Sequence, residues 1–230
     1  MRISKEQRQK NIEAVFKSVI KLSSRTDFDS LTMKSIAKEA KIGEATIYNY
    51  FPKKEMLITG FLDWSVERAI EETQKESLKN MTFTEILHAL IENHIEILTP
   101  SKAFFGKSVQ SLFVNPLAIA NTSVSTTKNR YIQFITEEFN RSVSNGSMPA
   151  PPFQEFLLAL LWDFHIGILY YWLQDEDKAS MRTTELVDLS MKVFEELLRS
   201  DLFNKVYSVA HFLFKEHILN KMLNPTRMSL

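Results

Sequence analysis

The stretch LTMKSIAKEAKIGEATIYNYFPKKEML, residues 31–57, holds the most specific local signals in the chain. Thr32 is a good N-cap for a helix that begins at Met33, because its hydroxyl can accept a hydrogen bond from an otherwise free backbone N–H of the first turn. The apolar residues of this helix share one side at helical spacing, and they are Ile36, Ala37 and Ala40. The pattern therefore predicts a short amphipathic helix after Thr32.

Gly43 interrupts this pattern and predicts a turn or the N-cap of a second helix. That helix is predicted over residues 44–50, and Pro52 ends it. Two apolar residues four positions apart form its inward side, and they are Ile47 and Phe51. A third helix is predicted to start near Lys53, with Glu55 in its first turn.

Two helices joined by a three- to four-residue turn are the sequence form of a helix-turn-helix, in which the second helix enters the major groove of DNA. The segments LTMKSIAKEA and ATIYNYFPKKEML resemble the DNA-binding domain of TetR-family transcriptional regulators, over roughly residues 8–60. The ordered residues of these segments are more specific than a generic two-helix pattern. The resemblance implies a DNA-binding regulator.

Two features of the stretch differ from the usual family pattern. Members usually carry Gly-Val-Ser in the turn, whereas this chain has Lys41, Ile42 and Gly43. A lysine in left-handed geometry costs about 1 kcal/mol, which the fold tolerates. Glu44 stands where a basic or neutral residue is commoner; its carboxylate repels phosphates but can accept a hydrogen bond from cytosine N4. We expect Glu44 to affect which operator is bound and not the class of function.

The resemblance implies two sets of DNA contacts. The residues expected to contact base edges are Glu44, Ala45, Thr46 and Asn49. The residues expected to contact phosphates are Thr32, Tyr48, Tyr50 and Lys54. An asparagine can bond adenine through two hydrogen bonds, whereas hydroxyls and a lysine position the duplex without reading its sequence. The alternative is that these are ordinary surface residues of a small helical domain.

Composition limits the remaining possibilities. A chain of 230 residues with 44% hydrophobic residues can bury a core, and without cysteine it has no disulfide or thiolate metal site. The net charge of zero divides unevenly: residues 1–60 hold 12 Lys and Arg against 7 Asp and Glu, and residues 61–230 hold 16 against 21. A basic end that faces phosphates explains this division, and chance explains it equally well.

The rest of the chain shows helical periodicity and no competing strand pattern, which predicts an all-α fold. We expect an N-terminal three-helix helix-turn-helix domain over residues 1–52, followed by a helical effector-binding and dimerisation domain over 53–230. The first domain is predicted to begin with a helix over 5–25, and a long helix that starts near residue 53 leads from this domain into the second. Further helices are predicted over 83–98, 119–144, 153–174, 183–199 and 202–223.

Residues 153–174 are apolar nearly all round, so this helix needs cover on more than one side. Residues 183–199 carry an apolar face. Two such helices from each of two subunits would make a four-helix interface, which is similar to that of TetR-family dimers. We therefore expect a homodimer through these two segments. The sequence leaves open whether residues 202–223 cap the effector domain or extend this interface.

Large aromatic side chains with isolated polar groups in the second domain are typical of a small-molecule pocket. The candidates are Phe104, Phe105, Phe113, Tyr131, Trp162, His165 and Tyr171. Aromatic residues at helical spacing are more often plain core. His94 and His165 also fall on apolar faces, where a core histidine is commoner than a ligand. The five histidines show no metal-ligand spacing, so we expect no metal or other cofactor, and no catalytic motif indicates an enzyme.

Together with these patterns, the resemblance implies a homodimeric regulator, most often a repressor, that a small apolar or aromatic effector releases from a palindromic double-stranded DNA operator. The alternative is a DNA-bound interaction protein whose second domain binds a protein partner. No apolar run is expected to be long enough to span a bilayer, and the N-terminus lacks the apolar stretch of a signal peptide. We therefore expect a cytoplasmic protein without a membrane partner.

Overall fold

The structure, a computed structural model, describes residues 4–106, 122–151, 153–177, 179–200 and 202–213. These residues contain helices and no strand, so the predicted all-α fold is confirmed. The helices are α1 (Lys5–Ser23), α2 (Met33–Glu39), α3 (Glu44–Tyr50), α4 (Met56–Gln74), α5 (Phe83–Leu98), α6 (Thr122–Ser144), α7 (Gln154–Gln174), α8 (Met181–Arg199) and α9 (Leu202–Leu213). The predicted pocket residue Phe113 and residues 214–223 of the last predicted helix lie outside the described residues.

Helices α1 to α3, called the head below, form as their capping residues predict. Thr32 and Ser35 make a capping box, in which the Thr32 Oγ1 accepts the Ser35 N–H and the Ser35 Oγ accepts the Thr32 N–H, each at 3.1 Å. Lys41 adopts φ 56°, the left-handed geometry expected of the turn. Gly43 is the N-cap of α3 and makes no side-chain capping bond. Ile47 is fully buried and fixes α3 on the head core.

The predicted start of α4 at Lys53 is wrong by three residues, because α4 begins at Met56 and Glu55 is its N-cap. Three backbone bonds run from residue i to i−3, from Met56 to Lys53, Leu57 to Lys54 and Ile58 to Glu55. Such bonds are those of a 3₁₀ turn, which is tighter than an α turn. The tighter turn after Pro52 replaces the first α-helical turn that the sequence predicted.

Helix α4 is the central element, since it packs against both α5 and α6. The described residues from the start of α5 to the end of α9 are called the body; α5 also contacts α8, and α7 packs between α6 and α8. Aromatic rings join the head to the body and to α4: the Phe28 and Phe104 ring centroids are 4.9 Å apart, and those of Phe16 on α1 and Phe61 on α4 are 5.5 Å apart. The apolar core is therefore continuous from the head into the body.

Helix α7 corrects one expectation from the sequence. Over residues 154–174 it is long and apolar enough, by length and composition alone, to cross a membrane. Core helices of soluble proteins have the same property, and here eight side chains of α7 are buried inside the bundle. The buried residues are Leu157, Leu158, Leu161, Trp162, His165, Ile168, Leu169 and Trp172. Burial in the bundle therefore accounts for part of the apolar character of α7.

Candidate functional site

The outward side of α3 is short, exposed and mostly polar. Glu44, Ala45, Tyr48 and Asn49 are exposed, and Thr46 is half-buried. Ala45 and Asn49 lie on the side of the helix opposite the buried Ile47, with Thr46 and Tyr48 flanking them. Glu44, three residues before Ile47, is exposed at the start of the helix and lies nearer the buried side. A helix that presents such a face can place side chains against base edges in the major groove.

Tyr50, a predicted phosphate contact, is half-buried and packs against α1. Its hydroxyl accepts a hydrogen bond from the Asn11 Nδ2 at 3.0 Å, and the Arg8 guanidinium lies 5.5 Å from its ring centroid. The first contact orients the end of α3. Sequence reasoning missed Asn11, because its partner is 39 positions away in the chain and no local signal marks the pair.

Lys54, a second predicted phosphate contact, is bonded within the head. Its Nζ donates to the backbone oxygen of Asp29 at 2.9 Å and lies 4.5 Å from the Phe28 ring centroid. Burial lowers the pKa of Lys54, and the carboxylates of Asp29 and Glu55 oppose that shift. In this arrangement Lys54 ties the start of α4 to the turn after α1. Its contact with phosphate remains a prediction.

Family comparisons agree with this geometry. A family model described as "Bacterial regulatory proteins, tetR family" matches residues 20–59. A second, described as "Tetracyclin repressor-like, C-terminal domain", matches residues 86–213, more than half of the chain. The chain belongs to the TetR family. It is therefore a TetR-family transcriptional regulator with a helix-turn-helix DNA-binding domain and a C-terminal ligand-binding domain.

Solved TetR-family structures share the fold at low sequence identity. A TetR regulator from Nitrosomonas europaea is 17% identical with a TM-score of 0.62, covering 79% of this chain and 96% of its own. FadR from Bacillus subtilis, in complex with stearoyl-CoA, is 16% identical with a TM-score of 0.55, covering 76% and 96%. FadR from Thermus thermophilus, in complex with lauroyl-CoA, is 17% identical with a TM-score of 0.58, covering 79% and 92%. No curated protein sequence matches the chain.

The pocket candidates of the body fall into two groups. Five are buried, and they are Phe104, Phe105, Tyr131, Trp162 and His165. The Tyr131 ring lies 5.3 Å from Trp162 and 5.0 Å from His165 between centroids, so these three are neighbours. Tyr171 is 41% exposed on the outer side of α7, and the structure does not bring it to this cluster.

His165 belongs to a buried chain of hydrogen bonds. The Oγ of Ser65 lies 2.8 Å from the His94 Nε2, and the His94 Nδ1 lies 2.7 Å from the His165 Nε2. Burial lowers the pKa of His94 well below its ordinary value, with a further contribution from His165, and it lowers the pKa of His165 to about 3. Burial likewise raises the pKa of Tyr131. All three rings are therefore neutral near pH 7. Sequence reasoning identified both histidines but missed Ser65.

The outer side of α7 and α8 is apolar and exposed, and is called the apolar face below. It contains Phe156, Leu160, Tyr170, Tyr171, Met181, Leu189 and Val193. Between the two helices a groove of about 390 Å³ is lined by apolar side chains and Ser190. The other cavities described lie between α5 and α8 and beside residues 142–148, so none of them is lined by the buried aromatic cluster.

Proposed function

We propose that the protein is a homodimeric repressor that binds a palindromic operator with one head on each half-site. Residues 1–52 would form the DNA-binding domain, and residues 53–230 the effector-binding and dimerisation domain. The half-sites would lie about 34–36 Å apart, or a multiple of that distance. The observation that carries the proposal is the exposed outer side of α3. Glu44, Ala45, Thr46 and Asn49 would contact base edges, and Thr32, Tyr48, Tyr50 and Lys54 would contact phosphates.

The apolar face supports the dimer. Phe156 is 64% exposed and Val193 is 57% exposed, although both are large apolar residues. Contiguous exposed apolar surface of this kind marks an interaction site. A second copy would cover it through α7 and α8, which makes a self-complementary four-helix interface about a two-fold axis.

Contacts of α4 support a route from the body to the head. The Arg130 Nη1 of α6 lies 3.1 Å from the Glu67 Oε1, and the Thr127 Oγ1 donates to the Asp63 Oδ1 at 3.1 Å. On the other side of α4, the Arg68 Nη2 lies 3.3 Å from the Glu13 Oε2 of α1. An effector that favours one arrangement of α6 and α4 would therefore move the heads. The free energy by which the effector weakens operator binding cannot exceed the difference in its binding free energy between the two states.

The effector would be a small apolar or aromatic molecule that binds beside the buried side chains of Tyr131 and Trp162, which line none of the cavities described above. The stearoyl-CoA and lauroyl-CoA of the two FadR structures make an acyl thioester a second class to test. The protein would act in the cytoplasm without a cofactor, as a DNA-binding regulator and not as an enzyme. The alternative, a DNA-bound platform for a protein partner, rests on the same apolar face, which a different protein could cover in place of a second copy.

The test is selection of bound duplexes from a random DNA pool, with the full-length protein and the variant Asn49→Ala. We expect an enriched palindrome whose affinity falls steeply with salt. Asn49→Ala should weaken binding by about 1–3 kcal/mol and relax one position of each half-site. Asn80→Ala is the matched control, because Asn80 is an exposed asparagine beyond the far end of α4.

Enrichment of a single, non-repeated site would contradict the dimer on DNA, and unchanged specificity in Asn49→Ala would contradict its contact with a base. Failure to enrich any sequence, with or without added effector candidates, would contradict the repressor. In that case the apolar face is better explained as a docking surface for a protein partner, without sequence-specific DNA binding.

A further inference from the structure

Three helices of the bundle are joined by one buried hydrogen-bond chain. Ser65 lies on α4, His94 on α5 and His165 on α7, and their exposed fractions are 0%, 0% and 1%. The chain therefore links the helix that leads to the head with the helix that carries the apolar face. Each bond is well within hydrogen-bond range, at 2.8 and 2.7 Å.

The proton positions along this chain follow from Ser65. Its Oγ lies 2.9 Å from the backbone oxygen of Leu62, which can only accept, so the single hydroxyl proton is donated there. The bond to His94 must then be donated by the His94 Nε2. A neutral imidazole carries one N–H, so the His94 Nδ1 accepts from the His165 Nε2. With this order of protons, each of the three contacts, Ser65 to Leu62, His94 to Ser65 and His165 to His94, has one donated proton.

The same order leaves the His165 Nδ1 as a bare acceptor. This nitrogen is buried and has no hydrogen-bond partner among the described residues. The opposite order would leave the Leu62 oxygen without the Ser65 proton and would place an unpaired N–H on His165. An unpaired buried polar atom is destabilising, so a ligand that supplies the missing partner gains binding free energy.

We propose that the His165 Nδ1 is the polar anchor of the effector site and that it takes an uncharged ligand with an O–H or N–H donor on an aromatic or apolar body. The inference rests on the effector response proposed above. Tyr131 is in ring contact with His165, and Trp162 is in ring contact with Tyr131. The ligand body would have to open this packed cluster and lie against these rings. A cation would lose its hydration in this buried site, and a ligand with only acceptor atoms would leave the Nδ1 unpaired.

The need for a donor separates this class from the acyl chain and the thioester group of an acyl-CoA. A thioester carbonyl accepts hydrogen bonds and donates none, so it cannot pair with a bare nitrogen. A phenol or an aromatic amide presents a donor of the required kind. Because the chain ends at Ser65 on α4, a ligand held at His165 contacts the same bonded unit that reaches the helix leading to the head.

Nitrogen NMR of the full-length protein with labelled histidine tests the proton order directly. Bare and protonated ring nitrogens have separate shifts, and the five histidines can be assigned by single substitutions. We expect His94 and His165 both to carry the proton on Nε2 and to have a bare Nδ1. A proton on the His165 Nδ1 would overturn the proposal.

A pair of matched probes tests the ligand class by calorimetry. 2-Naphthol and 2-methoxynaphthalene share an aromatic body, but only the first has an O–H donor. We expect 2-naphthol to bind roughly tenfold more tightly, as one hydrogen bond predicts, and to shift the His165 Nδ1 signal. The variant His165→Phe should bind both probes equally, and His88→Gln, at a surface histidine bonded to Asp188, should keep the difference.

Equal affinities of the two probes for the unmodified protein would overturn the site. Binding of neither probe would also overturn it, and a buried water would then be the partner of the His165 Nδ1. If His165→Phe does not fold, the probe pair and the NMR signal of the unmodified protein still decide. The operator selection is independent of these measurements. An enriched operator with equal probe affinities would therefore reject this site and keep the repressor, and selective probe binding without an operator would do the reverse.

Discussion

The outer side of α3 and the apolar face on α7 and α8 are both exposed, but they differ in how favourably water solvates them. Tyr48 and Asn49 on α3 have polar groups that water can satisfy, so this face is stable when free and can bind DNA reversibly. Phe156 and Leu160 on α7 gain free energy only when another surface covers them. The outer side of α3 is thus suited to a reversible contact, and the apolar face is suited to a permanent one.

The largest expected effect comes from placing a charge on the apolar face. In the variant Leu160→Glu, two carboxylates would be buried per dimer, each at a cost on the order of 3–5 kcal/mol when unpaired. We expect a monomer by light scattering after size exclusion. Operator affinity should fall roughly hundredfold or more, because the second head no longer binds at high effective concentration.

Asn129→Glu is the control for this substitution, since Asn129 is an exposed residue of α6 outside the apolar face. It should remain dimeric with unchanged operator affinity. A Leu160→Glu protein that stays dimeric would move the interface elsewhere, and α9 is then the next surface to test, because Val209 and Phe212 on it are also exposed.

Acid should destabilise the body more than the head. All five histidines follow residue 60, and two of them, His94 and His165, are buried and neutral beside Tyr131. The unfolded chain binds protons at these histidines below their ordinary pKa near 6.5, whereas folded His165 has a pKa of about 3. Stability is therefore complete above pH 6.5 and falls as the pH decreases; for His165 alone the loss at pH 5 is about 2 kcal/mol.

Urea unfolding at pH 7.5 and pH 5.0 measures this loss, in a range above the ordinary pKa values of most carboxylates. His88→Gln should keep the full pH dependence, because His88 is a surface histidine of α5. His165→Phe should reduce it. An unchanged free energy of unfolding between the two pH values would mean that the folded protein and the unfolded chain take up the same number of protons over this range, so the pKa of His94 and His165 would not be lowered by burial.

An added methyl group should change the stability in opposite directions at two glycines, Gly60 and Gly167. A Cβ on Gly60 would lie 2.8 Å from the Phe51 ring, which packs at the end of α3, so Gly60→Ala should destabilise by about 1–3 kcal/mol. A Cβ on Gly167 meets nothing within 4 Å. In the monomeric Leu160→Glu background, Gly167→Ala should stabilise α7 by about 0.5–1 kcal/mol.

Urea unfolding of both variants measures this contrast, and circular dichroism checks that each remains helical. In the dimer, Gly167→Ala should also weaken association, because the residue lies one heptad from Leu160 on the side we assign to the interface. A stabilising Gly60→Ala would show that the Phe51 ring can move away, and it would contradict the close packing of α4 against Phe51 at the end of α3.

The head was predictable because its signals are local. The Thr32 cap, the Gly43 turn and the buried Ile47 are each read within four residues of their partners, and the structure has them as expected. The start of α4 was missed because α-helical and 3₁₀ turns have nearly the same residue preferences after a proline. The sequence therefore located the candidate DNA surface well and the helix boundary beside it less well.

The body was predictable only in outline. Apolar periodicity predicted α7 and α8, and it cannot say which apolar side is inside and which is exposed. The bonded chain of Ser65, His94 and His165 joins residues 29 and 71 positions apart, and such pairs follow from packing alone. The same holds for Tyr171, whose aromatic ring predicted a pocket although the helix turns it outward.

The smallest expected effect concerns the turn that sets the angle of α3. Lys41 holds φ 56°, a conformation that glycine adopts without strain. Lys41→Gly should therefore raise the free energy of unfolding by up to about 1 kcal/mol, measured in urea, while the mutation leaves the base-contacting residues in place. Lys38→Gly, on the exposed side of α2, should lower it by about 1 kcal/mol, because glycine weakens a helix interior. If both substitutions destabilise equally, the turn owes its stability to the Lys41 side chain, and the left-handed backbone carries no cost there.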